Sequence, residues 1–310
     1  MEIICKIEVF FEKVKVDGQE MIIIRLMGGL GNQMFQYAFA MRMKAQGKNV
    51  KIDISYFDKI PPKDTKRYYE LGIFNISIPL ANIDEQKKYL NLYQILKNKL
   101  SEVVPCIQSK IVYEKSITNE NDLFDLDDKY LIGFWQNERY FSDIRKIILD
   151  TYSFDESYLS VETKHVYDQL KKDNITVSIH IRGGDYLNAI NKHIYGNVCE
   201  ESYYVKACEY FVKKYKKVYF YVFSNDVKLA RKYLEQIKHN IIFININNEK
   251  KDWEDMFLIS KCKHNIIANS TFSWWGAWLN QNPDKEVVAP INWKIDGEDN
   301  DIVPNDWIRM

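Results

Sequence analysis

The sequence predicts an α/β protein with parallel sheets, and two observations support this fold class. From Met21 onward, short apolar runs typical of buried strands alternate with segments whose apolar residues recur at helical spacing. In the second half, four apolar runs are each followed by a helical segment; they cover residues 177–181, 218–223, 241–246 and 265–268. Strands that alternate with helices form parallel sheets with right-handed crossovers.

Length and composition limit the possible classes of protein. At 310 residues the chain is longer than one typical domain, and we expect two, at residues 21–155 and 156–310. Lysine plus arginine and aspartate plus glutamate both number 43, so net charge gives no reason to expect a nucleic-acid partner. The five cysteines form no C-x-x-C pair, which indicates reduced thiols and no structural zinc.

The beginning of the chain has no targeting pattern. Charged residues interrupt its apolar residues, and no apolar run in the chain approaches the roughly 18 residues of a membrane span. We therefore expect a cytoplasmic protein without a transmembrane segment, and a peripheral place at a membrane is compatible with this. Residues 1–20 form a leader of uncertain role, because a second methionine, Met21, precedes the first strong strand.

The first glycine-rich loop has the spacing of a dinucleotide-binding fingerprint. A strand at residues 22–26 leads into Gly29 and Gly31, a helix follows, and Asp53 ends the next strand. The third glycine of that fingerprint would stand at Met34, whose side chain opposes close helix–strand packing. An NAD-dependent oxidoreductase that uses the loop at residues 28–31 therefore remains a rival hypothesis. Asn32 in this loop has a simpler alternative role as a helix N-cap.

A second loop gives the stronger signal for a ligand. The strand at residues 177–181 runs directly into Arg182, two glycines and Asp185. Glycines allow the backbone to approach a ligand closely, and the planar guanidinium of Arg182 suits a phosphate. The simpler alternative is a tight turn that carries a surface Arg–Asp pair.

Polar groups also follow two other predicted strands of the second half. Ser224 and Asp226 end one strand, and residues 269–273 (N-S-T-F-S) lie between another strand and its helix. Because the carboxyl ends of parallel strands share one edge of a sheet, these groups can converge with Arg182 to hold a diphosphate. Each group alone would be read as a helix cap. Among Trp274, Trp275 and Trp278, helical spacing favours core packing for at least two.

Four motifs in order resemble the α-1,2-fucosyltransferases of glycosyltransferase family 11. They are G-G-L-G-N-Q-M-F-Q-Y-A-F-A (28–40), H-I-R-G-G-D-Y (180–186), F-S-N-D (223–226) and N-S-T-F-S-W-W-G-A-W-L (269–279), and F-W-Q-N-E-R-Y-F (134–141) is similar too. The resemblance implies a GT-B fold, with two Rossmann-like domains whose parallel sheets face a central cleft. It implies inverting transfer from GDP-L-fucose, the donor substrate, to a galactose-terminated oligosaccharide, with no metal and no cofactor.

The resemblance also implies roles for individual residues. Arg182 is expected to bind the donor's β-phosphate and, with Asp185, to serve catalysis. The expected donor-binding set is Asn32, His180, Arg182, Asp226, Ser270, Thr271 and Ser273. Gly183 departs from the family, which usually has a second arginine there, so a non-catalytic sugar-nucleotide-binding protein is a further alternative. The sequence singles out no general base.

Overall fold

The computed structural model describes residues 20–61, 65–104, 107–116, 123–183, 193–194, 196–246, 251–297 and 300–310. The chain divides into two compact units, Met1–Thr151 and Tyr152–Met310. This division falls slightly before the expected boundary between residues 155 and 156. The leader expected at residues 1–20 lies outside the described residues except for Glu20.

The first unit contains a four-stranded parallel sheet in the order β2–β1–β4–β3. Its strands are β1 (Ile22–Arg25), β2 (Val50–Asp53), β3 (Ile111–Tyr113) and β4 (Lys129–Ile132). Helix α1 (Leu30–Ala45) follows β1 and buries most of its length, including Met34, as its apolar spacing predicts. Gly47 has φ +84°, the left-handed conformation that favours glycine just past a helix end.

Two expectations from the sequence pattern of the first unit are wrong in detail: a weak strand at residues 71–80 and a single amphipathic helix at residues 83–100. Residues 71–80 form no strand: a short 3₁₀ turn, Leu71–Ile73, is followed by irregular chain with one bridge at Leu80. The helix expected at 83–100 is two helices, α2 (Ile83–Leu90) and α3 (Leu92–Ser101). The break arises because Asn91 is extended and its side chain accepts a hydrogen bond from the N–H of Gln94, which caps α3.

The rest of the first unit also departs from the sequence reading in two places. Strand β3 lies inside residues 101–130, which we expected to be irregular. The helix expected at residues 141–149 begins as a 3₁₀ turn and continues as α4 (Arg145–Thr151). The described part of this unit nevertheless keeps the expected strand–helix–strand order at its start.

The second unit contains a six-stranded parallel sheet in the order β10–β9–β8–β5–β6–β7. Its strands are β5 (Thr176–Ile181), β6 (Tyr219–Ser224), β7 (Asn240–Ile244), β8 (His264–Ile266), β9 (Val287–Ala289) and β10 (Ile308–Arg309). Every residue of β5 is buried, as expected for a central strand. Strand β10 was not predicted from the sequence, because it is only two residues long.

Among the residues that the structure describes, five helices connect and cover the second sheet. They are α5 (Val161–Lys172), α6 (Glu201–Lys214), α7 (Val227–Tyr233), α8 (Asp252–Lys261) and α9 (Thr271–Trp278). All three tryptophans of α9 are buried, and the indole N–H of Trp274 donates to the carbonyl of Ile302 at 2.8 Å. Their interpretation as core residues is therefore confirmed.

Two units, each with a parallel sheet and its own helices, confirm the predicted fold class, α/β of the GT-B type. The cleft implied by the resemblance stays a prediction. Among the helices that the structure describes, none is long and apolar enough to cross a membrane.

Candidate active site

The strand order of the second sheet defines a point where a ligand site is expected. From β5 the chain runs outward through β6 and β7, and it then returns to add β8, β9 and β10 on the other side of β5. In open α/β sheets, ligands bind outside the carboxyl ends of the strands where the order reverses in this way. Here that point lies between the ends of β5 and β8, at Arg182 and at residues 267–270.

His180 connects these two strand ends. Its ring lies 5.6 Å, centroid to centroid, from the ring of Phe272 in the first turn of α9. The side chain is buried and its Nδ1 has no hydrogen-bond partner among the described residues. Burial, reinforced by the positive charge of Arg182, lowers the pKa of His180 to about 3. His180 is therefore neutral near pH 7 and can act there only as a hydrogen-bonding group.

Arg182 follows β5 directly and is half-buried. A guanidinium keeps its charge under all physiological conditions, and partial burial strengthens its field on a nearby anion. It therefore supplies a fixed positive charge at the carboxyl edge of the sheet. Asp185, which we paired with it from the sequence, lies outside the described residues.

The ends of β5 and β6 are joined through Gly183. Its N–H donates to Oδ1 of Asn225 at 2.8 Å, and its carbonyl accepts from Nδ2 of the same side chain at 3.4 Å. Asp226 caps α7, because its Oδ1 accepts from the N–H of Leu229 at 3.0 Å. A Cβ on residue 183 would lie 2.8 Å from the Cβ of Asp226, so the structure leaves no room for the arginine usual in the family.

The beginning of α9 provides backbone donors at the same edge. Ser270 is the N-cap residue, Thr271 is the first helical residue, and the N–H of Trp274 makes the first helical bond to the carbonyl of Ser270. The amides of a first turn face the end of their helix, where its dipole favours an anion. The Ser273 hydroxyl instead donates to the carbonyls of Ala268 and Ser270, at 3.3 and 3.1 Å, and is buried. Its side chain therefore stabilises the turn, and only its amide could face an anion at the start of the helix.

Buried glutamines of α1 organise the carboxyl edge of the first sheet. Gln33 donates to the carbonyls of Gly28 and Tyr68, at 2.9 and 2.8 Å, and accepts from the N–H of Glu70. Gln36 accepts from the N–H of Met27 at 2.9 Å and donates to the carbonyl of Gly133 at 3.1 Å. Since both side chains are fully buried, these bonds hold three loops in fixed positions.

Asn32 lies on the first turn of α1 but does not cap it. The N-cap position belongs to Gly29, and Oδ1 of Asn32 accepts a hydrogen bond from Nε2 of Gln136 at 2.8 Å. From the sequence, Gln136 and Asn137 could either face a cleft or cap a helix, with capping favoured; Asn137 does cap, since its Oδ1 accepts from the N–H of Arg139. Gln136 instead faces the loop of Asn32.

The profile of glycosyl transferase family 11 matches residues 3–310. The chain belongs to this family. It is 32% identical over 302 residues to the O-antigen biosynthesis glycosyltransferase WbnK of Escherichia coli, which covers 92% of this chain and 99% of that protein. It is 31% identical over 297 residues to an alpha-1,2-colitosyltransferase of the same species, over 93% of this chain and 98% of that one.

A more distant relative is the galactoside alpha-(1,2)-fucosyltransferase 1 of Saimiri boliviensis boliviensis. It is 22% identical over 227 residues, which span 68% of this chain and 62% of that protein. Membership in family 11 makes the chain a glycosyltransferase and confirms the resemblance seen in its motifs.

Two findings oppose the oxidoreductase hypothesis: the chain's membership in family 11 and the structure around its first glycine loop. In a dinucleotide site, an acidic residue at the end of the second strand binds the ribose. Here Asp53 is fully buried: it accepts hydrogen bonds from the N–H and hydroxyl of Ser55, at 2.8 and 3.1 Å, and from the hydroxyl of Tyr130. Its carboxylate is thus committed to the protein interior.

The described part of the family 11 chain contains no group of three or more His, Cys, Asp and Glu residues that could hold a metal ion. Cys262 and His264, which are close in sequence, are both buried. The Nδ1 of His264 accepts from the N–H of Glu286 at 3.1 Å, so this histidine has a structural partner.

Two tyrosines at these strand ends were not predicted from the sequence. The hydroxyl of Tyr204 donates to the carbonyl of His180 at 3.1 Å, and that of Tyr203 donates to the carbonyl of Ile267 at 2.7 Å. Asn269, which the sequence did single out, donates to the carbonyl of Trp293 at 3.1 Å. Buried tyrosine hydroxyls need such partners, and this need is the only sequence signal that could have pointed to Tyr203 and Tyr204.

Proposed function

We propose that this family 11 glycosyltransferase is an inverting α-1,2-fucosyltransferase. It moves L-fucose from GDP-β-L-fucose to the 2-hydroxyl of a terminal galactoside in a surface glycan. The observation that supports the proposal most strongly is the convergence of His180, Arg182 and the start of α9 at the reversal point of the second sheet. The names of the relatives support α-1,2 transfer and a role in surface polysaccharide synthesis.

The carboxyl edge of the second unit suits a nucleoside diphosphate. Arg182 supplies a permanent positive charge after β5, and the first-turn amides of α9 supply neutral donors after β8. A pyrophosphate needs both kinds of group, since it is dianionic or more and has many acceptor oxygens. In this proposal Asp226 contacts the nucleoside rather than the phosphates, because its carboxylate would repel them.

The reaction transfers one glycosyl group with inversion. The acceptor oxygen attacks the anomeric carbon of fucose from the face opposite GDP, the bond from that carbon to the β-phosphate oxygen breaks, and the acceptor proton passes to a base. Negative charge builds on the β-phosphate as the bond breaks. Arg182 and the α9 amides therefore bind the transition state more tightly than they bind intact GDP-fucose. Fixed hydrogen-bond donors accelerate a reaction in this way.

His180 does not suit the role of general base. A base works best when its pKa lies near the working pH, and burial holds the pKa of His180 at about 3. Its role in the proposal is to accept or donate one hydrogen bond at the donor through Nδ1, which lacks a partner among the described residues. Asp185 keeps the catalytic role that the family resemblance implies.

GDP-colitose is the second candidate donor. The 31% identity to an alpha-1,2-colitosyltransferase over nearly the whole chain favours it specifically. Colitose is L-fucose without the 3-hydroxyl, so both donors share the diphosphate and the anomeric carbon on which the proposed chemistry depends. A site built for the 3-hydroxyl would reject the deoxy sugar strongly, because its polar groups would be left unpaired.

The decisive experiment incubates the purified chain with each donor and a panel of β-galactosides and β-glucosides. We expect an α-1,2-fucosyl galactoside, with GDP released in equal amount, in chelator as well as without it. Faster transfer of colitose would reassign the donor, and loss of transfer in chelator would overturn the metal-free mechanism. GDP-fucose binding without transfer or hydrolysis would favour a non-catalytic binding protein.

A further inference from the structure

The loop at residues 133–136 of the first unit has an unusual conformation. Trp135 has φ +53°, in the left-handed region that a bulky side chain rarely occupies. It is fully buried, and its ring stacks on Phe39 with centroids 4.5 Å apart. Its buried indole Nε1 has no hydrogen-bond partner among the described residues. Strained residues of this kind persist where the surroundings hold them in place, and they concentrate at functional sites.

Glu114 holds this loop in place. One carboxylate oxygen accepts from the N–H of Phe134 at 2.7 Å, and the other accepts from the N–H of Trp135 at 3.0 Å. A Cβ on residue 133 would lie 2.5 Å from the Cβ of Glu114, so glycine is required there. Gln36 fixes the other side of the loop through the carbonyl of Gly133. Hydrogen bonds therefore hold the loop from both sides.

The consequence is the position of two side chains. Phe134 remains 40% exposed although it is a large aromatic residue in a fixed loop. Gln136 donates from Nε2 to Oδ1 of Asn32 at 2.8 Å, which fixes the orientation of its amide group. Its amide oxygen has no partner in the part of the chain that the structure describes. The loop thus presents an aromatic face and an oriented, neutral hydrogen-bond acceptor.

This combination is suited to a sugar. A pyranose has hydroxyl groups that donate to an amide oxygen and an apolar face of C–H groups that packs on an aromatic ring. We propose that Phe134 and Gln136 form a subsite for a neutral hexopyranose of the acceptor, and that Glu114 is the positioning residue that sets its shape. The assignment of this sugar to the acceptor rests on the proposed function.

The contrasting possibility is that the bond between Gln136 and Asn32 only stabilises the first unit. Removal of Gln136 would then lower the melting temperature and leave sugar affinity unchanged. The two roles therefore give different results when sugar binding is measured without any donor.

The test measures binding of methyl β-D-galactopyranoside by saturation-transfer NMR and titration, with methyl β-D-glucopyranoside in parallel. We expect Gln136→Ala to weaken galactoside binding about tenfold, the effect of one hydrogen bond. Glu114→Gln should weaken it in the same direction, because an amide can no longer accept from both backbone N–H groups. Exposed residues provide matched controls, Gln281→Ala and Glu102→Gln, which should bind as the unaltered chain does.

Kinetics supply the second readout. Both variants should raise the acceptor KM about tenfold while GDP affinity, donor hydrolysis and kcat stay within about twofold. Unchanged sugar affinity in Gln136→Ala, an equal loss of GDP binding, or no binding of either pyranoside by the unaltered chain would overturn the subsite. If the unaltered chain binds galactoside but transfers neither donor sugar, the proposed function fails while the subsite stands.

Discussion

The backbone N–H of Gly183 donates to Oδ1 of Asn225 at 2.8 Å, which ties the end of β5 to the end of β6. This contact places residue 183 against Asp226 and Leu229, where a side chain has no space. The packing around residue 183 therefore requires glycine in place of the arginine that is usual in the family. Arg182 is left as the arginine of its motif, with the α9 amides as the additional donors to the phosphates.

Gly183→Ala should lower the stability of the second unit. The added methyl group would approach the Cβ of Asp226 to 2.8 Å and Leu229 Cδ2 to 3.3 Å, and overpacking of this kind costs about 1–3 kcal/mol. Thermal or urea denaturation measures the change. Asp226→Gly removes the opposing Cβ, so the double variant should lose less stability than the two single variants together; strict additivity would contradict the proposed clash.

Arg182→Ala should abolish transfer while the fold stays intact. Loss of one donor to a developing charge typically costs about 2.7–4 kcal/mol, or roughly 100- to 1000-fold in kcat. Arg182→Lys should recover only part of this activity, because an ammonium cannot offer the planar fork of donors. Initial rates with GDP-fucose measure the effect, and circular dichroism reports the fold.

The matched control for this prediction is Arg231→Ala. Arg231 is exposed on α7 and stacks over the ring of Phe243, so its loss should leave kcat unchanged. Near-normal turnover in Arg182→Ala would remove Arg182 from the proposed mechanism.

Gln36 offers a separate test of how the first unit holds its loops. Gln36→Met keeps the volume but leaves the N–H of Met27 and the carbonyl of Gly133 without their bonds, and each lost partner costs about 1–3 kcal/mol. Gln86→Met removes a bond to the carbonyl of Ala81 at a less buried position and should cost less. Urea denaturation compares the two; equal stabilities would mean that Gln36 does not hold the loops.

The sequence predicted the strands well and the side-chain network poorly, for physical reasons. Strands such as β5 appear as apolar runs because their burial is a local property of the sequence. The hydrogen bond from the N–H of Phe134 to Glu114 joins residues twenty positions apart, so no local sequence pattern predicts it. The break at Asn91 was missed because amphipathic spacing continues on both sides of it, while an asparagine that caps a helix looks like any other surface asparagine.

The candidate site divides in the same way. Arg182 and the start of α9 could be placed at one edge because parallel strands end on the same side of a sheet. The inward direction of the Ser273 hydroxyl could not be foreseen, since a serine near a helix start can bond either a ligand or the preceding carbonyls. The neutral state of His180 likewise depends on burial that only the assembled sheet provides.

The stability of the chain should fall as the pH is lowered below about 6.5, and His180 should account for part of this loss. Its pKa is about 3 in the folded state against the usual 6.5 in the unfolded chain. The unfolded chain therefore binds the proton first, so the contribution is fully present above pH 6.5 and is lost progressively as the pH falls toward 3. The pKa of His264 is also lowered, chiefly by burial, and its contribution has the same sign.

Urea denaturation between pH 7.5 and 4.5 measures this contribution. As the pH falls, His180→Gln should lose less of its free energy of unfolding than the unaltered chain does. His264→Gln is measured alongside to separate the two residues. Parallel pH profiles for His180→Gln and the unaltered chain would mean that His180 is not buried in its neutral form.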